Sequence, residues 1–507
     1  MWQPVLMISG YFISVLGLAM LFPAALDIYY SHAKWSLFIT SSIVSVFIGL
    51  SLFLANNSKI KNISLQQAYL LTVISWFSVT LLAAIPFMLY GISGADAVFE
   101  AASGISTTGA TVFADIEALP RSFLLWRAIL NGLGGVGIVI FAIAMLPFLG
   151  IGGMQIFQRE NSDVNEKFMP KISYIAKRII LVYVILIMAC LAALHLAGMN
   201  WFDALCHSLA TVATGGLSTK NASVGYFNSA AIDWIITLFM ILGAIPLTFY
   251  HSLLATRDIH SLRSSQVAMF LKVLAVYIVF MACWLTYNGT YNFLTALRYA
   301  AFNVTSIVTS TGFVSTDYLL WGPFAATAFV VFALTGGCTG STSGSIKIFR
   351  WQVVFAQLKR AFITTTEPNR MVPLKIGHSN ISAQVAGSIF IFLTAFSLST
   401  IVLTLCIALT GIDFTTAFSG GVFKQFRPRY QPADWPFGKL QFSAGNRQMA
   451  LGIHNAFGPF GSYDNFGYFH QKLLAAIAAI LSFYLQRQLL QWLRIYPKTG
   501  VLNEKQS

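Results

Sequence analysis

The chain has 507 residues, 57% of them hydrophobic and only 9% charged, with a formal net charge of +14. Soluble domains carry about 25% charged residues, so the composition excludes a soluble globular protein and points to an integral membrane protein. The basic excess lies in short loops between apolar runs, which excludes nucleic acid as its partner.

A run of about 20 apolar residues crosses a bilayer as a helix. Such runs lie near 4–24, 36–55, 69–91, 123–148, 178–198, 230–250, 268–287, 323–348 and 383–410. The first follows Met1-Trp2-Gln3-Pro4 with no basic region before it and is expected to be a retained helix, not a cleaved signal. Lys59 and Lys61 lie in one loop, and Arg159, Lys167, Lys171, Lys177 and Arg178 in a second. Arg257 and Arg263 mark a third, and Arg350, Lys359, Arg360, Arg370 and Lys375 a fourth. These are alternate loops, as the positive-inside rule requires. The amino terminus is therefore expected in the cytoplasm. The two longest basic loops also offer themselves to a cytoplasmic partner.

Three shorter apolar segments, near 96–107, 202–213 and 295–310, each follow one span and precede another. At 1.5 Å per residue they reach only partway across the hydrocarbon. They are expected to be re-entrant pore helices, buried in protein on the outer side. Each ends in hydroxyl residues and Gly. The first reads Ser106-Thr107-Thr108-Gly109-Ala110-Thr111, the second Ala213-Thr214-Gly215-Gly216, the third Thr309-Ser310-Thr311-Gly312-Phe313. The expected filter residues are Thr107, Thr108 and Gly109, then Ala213, Thr214 and Gly215, then Ser310, Thr311 and Gly312. On that alignment the glycines are 106 and 97 residues apart (109 to 215, 215 to 312), which suits one span–half-span–span unit plus its basic loop. A cation entering a narrow pore exchanges hydration water for oxygens. Backbone carbonyls supply them where Gly permits the necessary dihedrals, and the carboxyl ends of the pore helices add partial negative charge. The first two spans stand outside the repeat as a hairpin.

The cytoplasmic half of the run at 323–348 reads Gly336-Gly337-Cys338-Thr339-Gly340-Ser341-Thr342-Ser343-Gly344-Ser345-Ile346-Lys347. Glycine and hydroxyl residues weaken a helix, so this span is expected to break just below the filter. An intramembrane gate loop is expected from Gly336, Gly337, Cys338, Gly340, Ser341, Thr342 and Gly344. Lys347 would anchor it or line the inner mouth; close packing of small residues is the competing explanation.

Gly132-x-Gly134-x-x-Gly137 matches a dinucleotide fingerprint literally. It sits inside an apolar span with no strand before it, so helix packing through small residues is expected instead. Glu100, Asp203 and His207, on or near the pore helices, are expected to be structural or mouth-facing. Five scattered cysteines (Cys190, Cys206, Cys283, Cys338, Cys406) form neither a disulfide framework nor a metal site. No nucleophile–base pair is visible, so no enzyme activity is expected. A coupled solute symporter would usually show inverted repeats and midplane broken helices, whereas these repeats share one orientation.

On these residues the chain resembles the Trk/Ktr/HKT superfamily of potassium transporters, and with its extra hairpin it is most similar to the bacterial Trk system membrane subunit. The resemblance covers about 1–420. It implies an all-α polytopic membrane protein with four pseudo-symmetric span–pore-helix–span repeats around a central pore. It also implies a homodimer in the bacterial inner membrane, and a separate cytoplasmic nucleotide-binding regulatory ring. The ligand would be potassium at the filter residues, with no covalent cofactor. A Gly at the first filter, here Gly109, accompanies potassium preference in the family, where Ser accompanies sodium permeation. The implied divisions are a hairpin over 1–66, repeats over 67–158, 159–264 and 265–376, and the start of a fourth over 377–420.

The fourth repeat opens on time at Asp413-Phe414-Thr415-Thr416-Ala417-Phe418-Ser419-Gly420. The family would continue with Asn-x-Gly-Pro-Gly and a last span containing Leu-Gly-Arg-Leu-Glu. Residues 421–472 instead bring Lys424, Arg427, Arg429, Asp434, Lys439 and Arg447 and no apolar run of spanning length. Codons permitted for Gln425-Phe426-Arg427-Pro428-Arg429, read one nucleotide later, give Asn-Phe-Gly-Pro-Gly. The same shift over Met449 to Gln471 restores the second motif. We expect a frameshift near 420–424, in the gene or in its sequencing, leaving 421–507 without selected function and the apolar stretch at 473–485 accidental. Resequencing the gene checks this: the shifted codons are expected, and codons incompatible with that frame end the reading.

Overall fold

The computed structural model describes residues 2–56, 64–149, 168–250, 265–377, 379–409 and 418. The expected frameshifted segment at 421–507 and most of the opening of the fourth repeat lie outside the described residues.

Among the described residues, six helices are long and apolar enough to cross a bilayer: Gln3–Tyr29, Trp35–Ala55, Gln66–Leu89, Tyr174–Leu196, Ser265–Tyr287 and Val385–Cys406. A further helix, Arg121–Leu149, covers the run expected at 123–148 and carries Arg127 within it. Large apolar side chains such as Ile43, Phe47 and Val276 are exposed on the spanning helices. That is an unfavourable surface in water and the natural one against lipid.

The first two helices pack through small residues. A Cβ on Gly10 would come within 2.6 Å of the Gly49 carbonyl oxygen, and one on Gly49 within 2.6 Å of the Ser14 nitrogen. The Ser42 hydroxyl donates to the Gly17 carbonyl at 2.7 Å. Backbones approach this closely only where side chains are absent. Gly134 and Gly135 act likewise: a Cβ on Gly134 would collide with the Ile105 carbonyl, and one on Gly135 would meet Ala213 at 2.9 Å. Within the Gly132–Gly137 pattern, Gly132 and Gly134 pack closely, as expected, Gly132 against Leu209, whereas a Cβ on Gly137 would meet nothing within 4 Å. The first span differs from its expected 4–24 range, continuing to Tyr29 beyond a hitch at Met20.

Two apolar runs of spanning length are interrupted, one of them against expectation. The run at 230–250 is helical over Ala230–Ala244, breaks at Ile245 and Pro246, and resumes as helix from Leu247, because Pro246 lacks an N–H and forces Ile245 to an extended ψ of 148°. The run at 323–348 is helical over Pro323–Ala333 and then unwinds as expected, with a new helix over Ile348–Thr366. Among the described residues the regular structure is helical apart from two minimal ladders. Thr335–Gly336 pairs in parallel with Ile346–Lys347, and Lys375–Ile376 pairs antiparallel with Ser379–Asn380. The first ladder pinches the ends of the unwound loop together.

Candidate cation filter and gate loop

The three short apolar segments are helices over Gly94–Ile105, Trp201–Val212 and Phe293–Val308. The first two are capped alike: the Ser93 hydroxyl accepts from the Asp96 N–H, and the Asn200 side-chain oxygen from the Asp203 N–H. The third has 16 residues against 12 in the others. It gains about one turn at its amino end, so the carboxyl ends of all three keep the same register to the turns that follow.

Each helix ends in the same backbone turn. Thr107, Thr214 and Ser310 are left-handed, with φ of 55°, 51° and 64°. One residue follows at ordinary φ, and then Gly109, Gly216 and Gly312 at φ of 76°, 75° and 81°. The N–H groups of Thr108, Gly215 and Thr311 close back onto the carbonyls of Ser103, Ala210 and Ser306, each at 2.8 Å. This corrects the sequence alignment of the second repeat. Gly216, not Gly215, stands where Gly109 and Gly312 stand, and Gly215 matches Thr108 and Thr311. A Thr-Gly pair in the second turn masked the offset, because the residue between the two left-handed positions is itself Gly there. The corrected glycine intervals are 107 and 96 residues.

The chain leaving each turn is braced by one buried polar side chain placed nine residues before the left-handed glycine: Glu100, His207 and Asn303. Glu100 accepts from the Thr111 hydroxyl at 3.0 Å and the Val112 N–H at 3.1 Å. The His207 Nδ1 faces the Asp203 carbonyl at 2.8 Å and its Nε2 faces the Ser218 hydroxyl at 2.9 Å. A carbonyl only accepts, so the proton sits on Nδ1 and Nε2 accepts from Ser218. Asn303 donates to the Ser315 hydroxyl at 2.9 Å. Glu100 also pairs with the Arg127 Nε at 2.7 Å, both side chains almost wholly buried, and Arg127 Nη1 donates to the Ser218 carbonyl at 3.2 Å. Breaking such a buried pair from one side costs about 3–5 kcal/mol, because the remaining charge is uncompensated. Glu100 and His207 are thus structural, not mouth-facing. Asp203 joins them, accepting from the Thr219 hydroxyl at 2.6 Å. Arg127, Asn303 and Gly216 were missed by sequence reading. The fixed nine-residue offset to the glycine was the signal for Asn303, but it aligns only after the one-residue correction.

The unwound loop sits against the turns. Cys338 N–H donates to the Ala244 carbonyl at 3.0 Å, and Thr342 N–H to the Gly243 carbonyl at 3.3 Å. The Thr342 hydroxyl lies 3.0 Å from both the Gly243 and Val212 carbonyls and accepts from the Thr214 hydroxyl at 3.3 Å. Gly344 N–H donates to the Ser310 hydroxyl. Lys347 Nζ donates to the Ser343 carbonyl, and lies 3.1 Å from the Ser343 hydroxyl and 3.3 Å from the Ser341 hydroxyl. A Cβ on Gly336 would collide with the Gly344 carbonyl, and one on Gly337 with the Ser343 hydroxyl. Gly340 is left-handed, φ 84°. Among the described residues no His, Cys, Asp and Glu cluster is placed to hold a metal ion.

The sequence pattern of the TrkH family, a family of cation transport proteins, matches residues 33–419. This chain belongs to the TrkH family. It is 33% identical over 444 residues to the Trk system potassium uptake protein TrkH of Halomonas elongata, covering 86% of this chain and 92% of that one. The TrkI protein of the same organism is 37% identical over 70% of this chain and 72% of its own length. A crystal structure of the potassium transporter TrkH from Vibrio parahaemolyticus matches with TM-score 0.83 and 27% identity, over 97% of this chain and 98% of that one. As a TrkH-family chain with several apolar spans, it is a multi-pass membrane transporter and not an enzyme.

The backbone distinguishes the two glycines of the second turn. Gly216→Ala must hold an L side chain at positive φ, against the Thr311 carbonyl. Gly215→Ala meets only the Asn131 side chain, from 2.5 Å. We expect Gly216→Ala to lower the thermal midpoint of the purified protein, and any cation uptake, more than Gly215→Ala. The φ strain alone is of order 1–3 kcal/mol.

Proposed function

We propose that this chain is the potassium-conducting membrane subunit of a Trk-type uptake system in a bacterial inner membrane, with its amino terminus in the cytoplasm. The observation that carries the reading is the recurrence of one turn, left-handed residue, ordinary residue, left-handed glycine, at the carboxyl ends of three buried half-length helices. Such turns aim successive carbonyls in one direction where water is scarce, as dehydrating a cation requires. Thr107, Thr108 and Gly109 would line the first quarter of the filter and Ser310, Thr311 and Gly312 the third. The second would use Ala213, Thr214 and Gly215 together with Gly216. A fourth quarter would complete four pseudo-symmetric repeats about the pore. The names of the TrkH and TrkI relatives, both potassium uptake proteins, support potassium as the ion. Gly109 at the first turn agrees with it.

The loop over Gly336–Lys347 would be the gate. It hangs on the filter turns through Thr342 and Gly344, and Lys347 ties its own strands together. A homodimer and a cytoplasmic nucleotide-binding regulatory ring would complete the system. A second reading is favoured by one observation: the family match stops at residue 419, where the fourth repeat departs from the expected pattern. On that reading the chain is a frameshifted, non-conducting form of the same transporter.

Growth of a strain lacking its own potassium uptake systems, on limiting potassium, separates the two. We expect the frame-corrected version to rescue and this chain to fail; rescue by this chain overturns the frameshift as a lesion, and failure of both overturns potassium uptake. In the frame-corrected version, deletion of residues 336–344 should give a channel that stays open in single-channel recording. Unchanged gating would remove the loop from the mechanism.

A further inference from the structure

The three turns share a backbone but not their internal ties. In the first, the Ser103 hydroxyl donates to the Ala110 carbonyl at 2.5 Å, and the Ser106 and Thr108 hydroxyls meet at 2.7 Å. In the third, Ser306 donates to the Phe313 carbonyl at 2.6 Å, and Thr309 and Thr311 meet at 2.8 Å. The matching positions of the second turn are Ala210, Ala213 and Gly215. All three lack a hydroxyl, so neither tie exists there.

The second turn is instead held from outside itself. The chain leaving it carries Ser218, whose hydroxyl bonds His207 while its carbonyl accepts from Arg127. Arg127 comes from the helix that follows the first turn and is itself fixed by Glu100. His207 lies flat against Phe313 of the third turn, ring centroids 5.6 Å apart. Asn131 fills the space where a side chain at position 215 would stand. A buried polar chain therefore runs from Glu100 through Arg127 and Ser218 to His207, and its last ring touches the neighbouring turn. Every member is buried, so no solvent competes for these bonds and each holds its partner firmly.

We propose that His207 and Arg127 are positioning residues for the second quarter of the filter, supplying from outside the turn what hydroxyl ties supply inside the first and third. The inference rests on the filter reading of the turns given above. Neither residue touches the ion. Each fixes Ser218, and through it the direction of the carbonyls between Thr214 and Leu217. A filter prefers one dehydrated cation over a smaller one only while its oxygens keep their spacing, so loosening one quarter should cost discrimination before it costs the fold.

The test uses the frame-corrected full chain purified in detergent, with the thermal midpoint titrated separately against KCl, NaCl and choline chloride. The parent is expected to be stabilised by potassium at lower concentration than by sodium. His207→Leu keeps the volume and removes the bond to Ser218; it should reduce the potassium-over-sodium preference about tenfold, the worth of one buried hydrogen bond. Adding Ala210→Ser to His207→Leu installs the tie that Ser103 and Ser306 make, and should recover most of the preference. The double variant Glu100→Gln/Arg127→Gln removes the ion pair as a unit, leaves no lone buried charge, and should also lose preference. If His207→Leu yields no folded protein, this double variant decides alone. An equal fall of the midpoint in all three salts with the preference unchanged overturns the positioning role, as does a failure of Ala210→Ser to restore it. A parent with no preference for potassium overturns the filter reading itself, before any variant is made.

Discussion

Helices that stop at membrane depth leave carbonyls without partners, and in a medium without water each such group must be matched by protein. Much of this structure answers that one constraint. The helix over Ala230–Ala244 stops because Pro246 cannot continue it, and the carbonyls of Gly243 and Ala244 are taken up by N–H groups and a hydroxyl of the 336–347 loop. The Val212 carbonyl, at the end of the second half-length helix, is met by the same Thr342 hydroxyl. The helix over Pro323–Ala333 is closed by Ser345, which donates to the Ala333 carbonyl. One unwound segment thus caps several helix ends at once. It can leave only if water replaces it, which ties movement of the loop to wetting of the cavity under the proposed reading.

The turns carry strain as well as polarity. Thr107 and Thr214 are β-branched residues in the left-handed region, where only Gly sits without penalty. Their hydroxyls fold back onto the carbonyls of Ser106 and Ala213, each at 2.7 Å. A strained conformation persists only where its surroundings over-determine it. Here the surroundings are the backbone closures at 2.8 Å, the buried braces at Glu100, His207 and Asn303, and the loop below. Proline or glycine alone would have given a turn; the hydroxyl residues add a defined direction to the carbonyls.

The paired charges belong to the same logic. Glu100 and Arg127 hold two chain segments whose hydrogen-bonding groups would otherwise be orphaned, and another ion pair, Arg298 with Asp233 at 2.7 Å, joins the third half-length helix to the Ala230–Ala244 helix. An apolar replacement of matching volume is often as stable as a buried pair. What such a pair adds here is orientation of particular backbone groups.

Residue order alone determined the membrane class, the three half-length helices, the break after Ala333 and the small-residue packing around Gly134, because each is written in a local pattern of hydropathy, length or side-chain size. It misjudged the run at 230–250, since a single proline in an apolar stretch does not reveal whether a helix bends through it or ends there. It also aligned the second turn one residue early, because Gly215 and Gly216 differ only in φ, and φ is set by what surrounds them: Asn131 behind one and the Thr311 carbonyl beside the other. The bonds of Thr342 to Val212 and of Arg127 to Ser218 span 130 and 91 residues. Only folding brings such partners together, since no periodicity in the chain records which buried carbonyl a distant hydroxyl or guanidinium will meet.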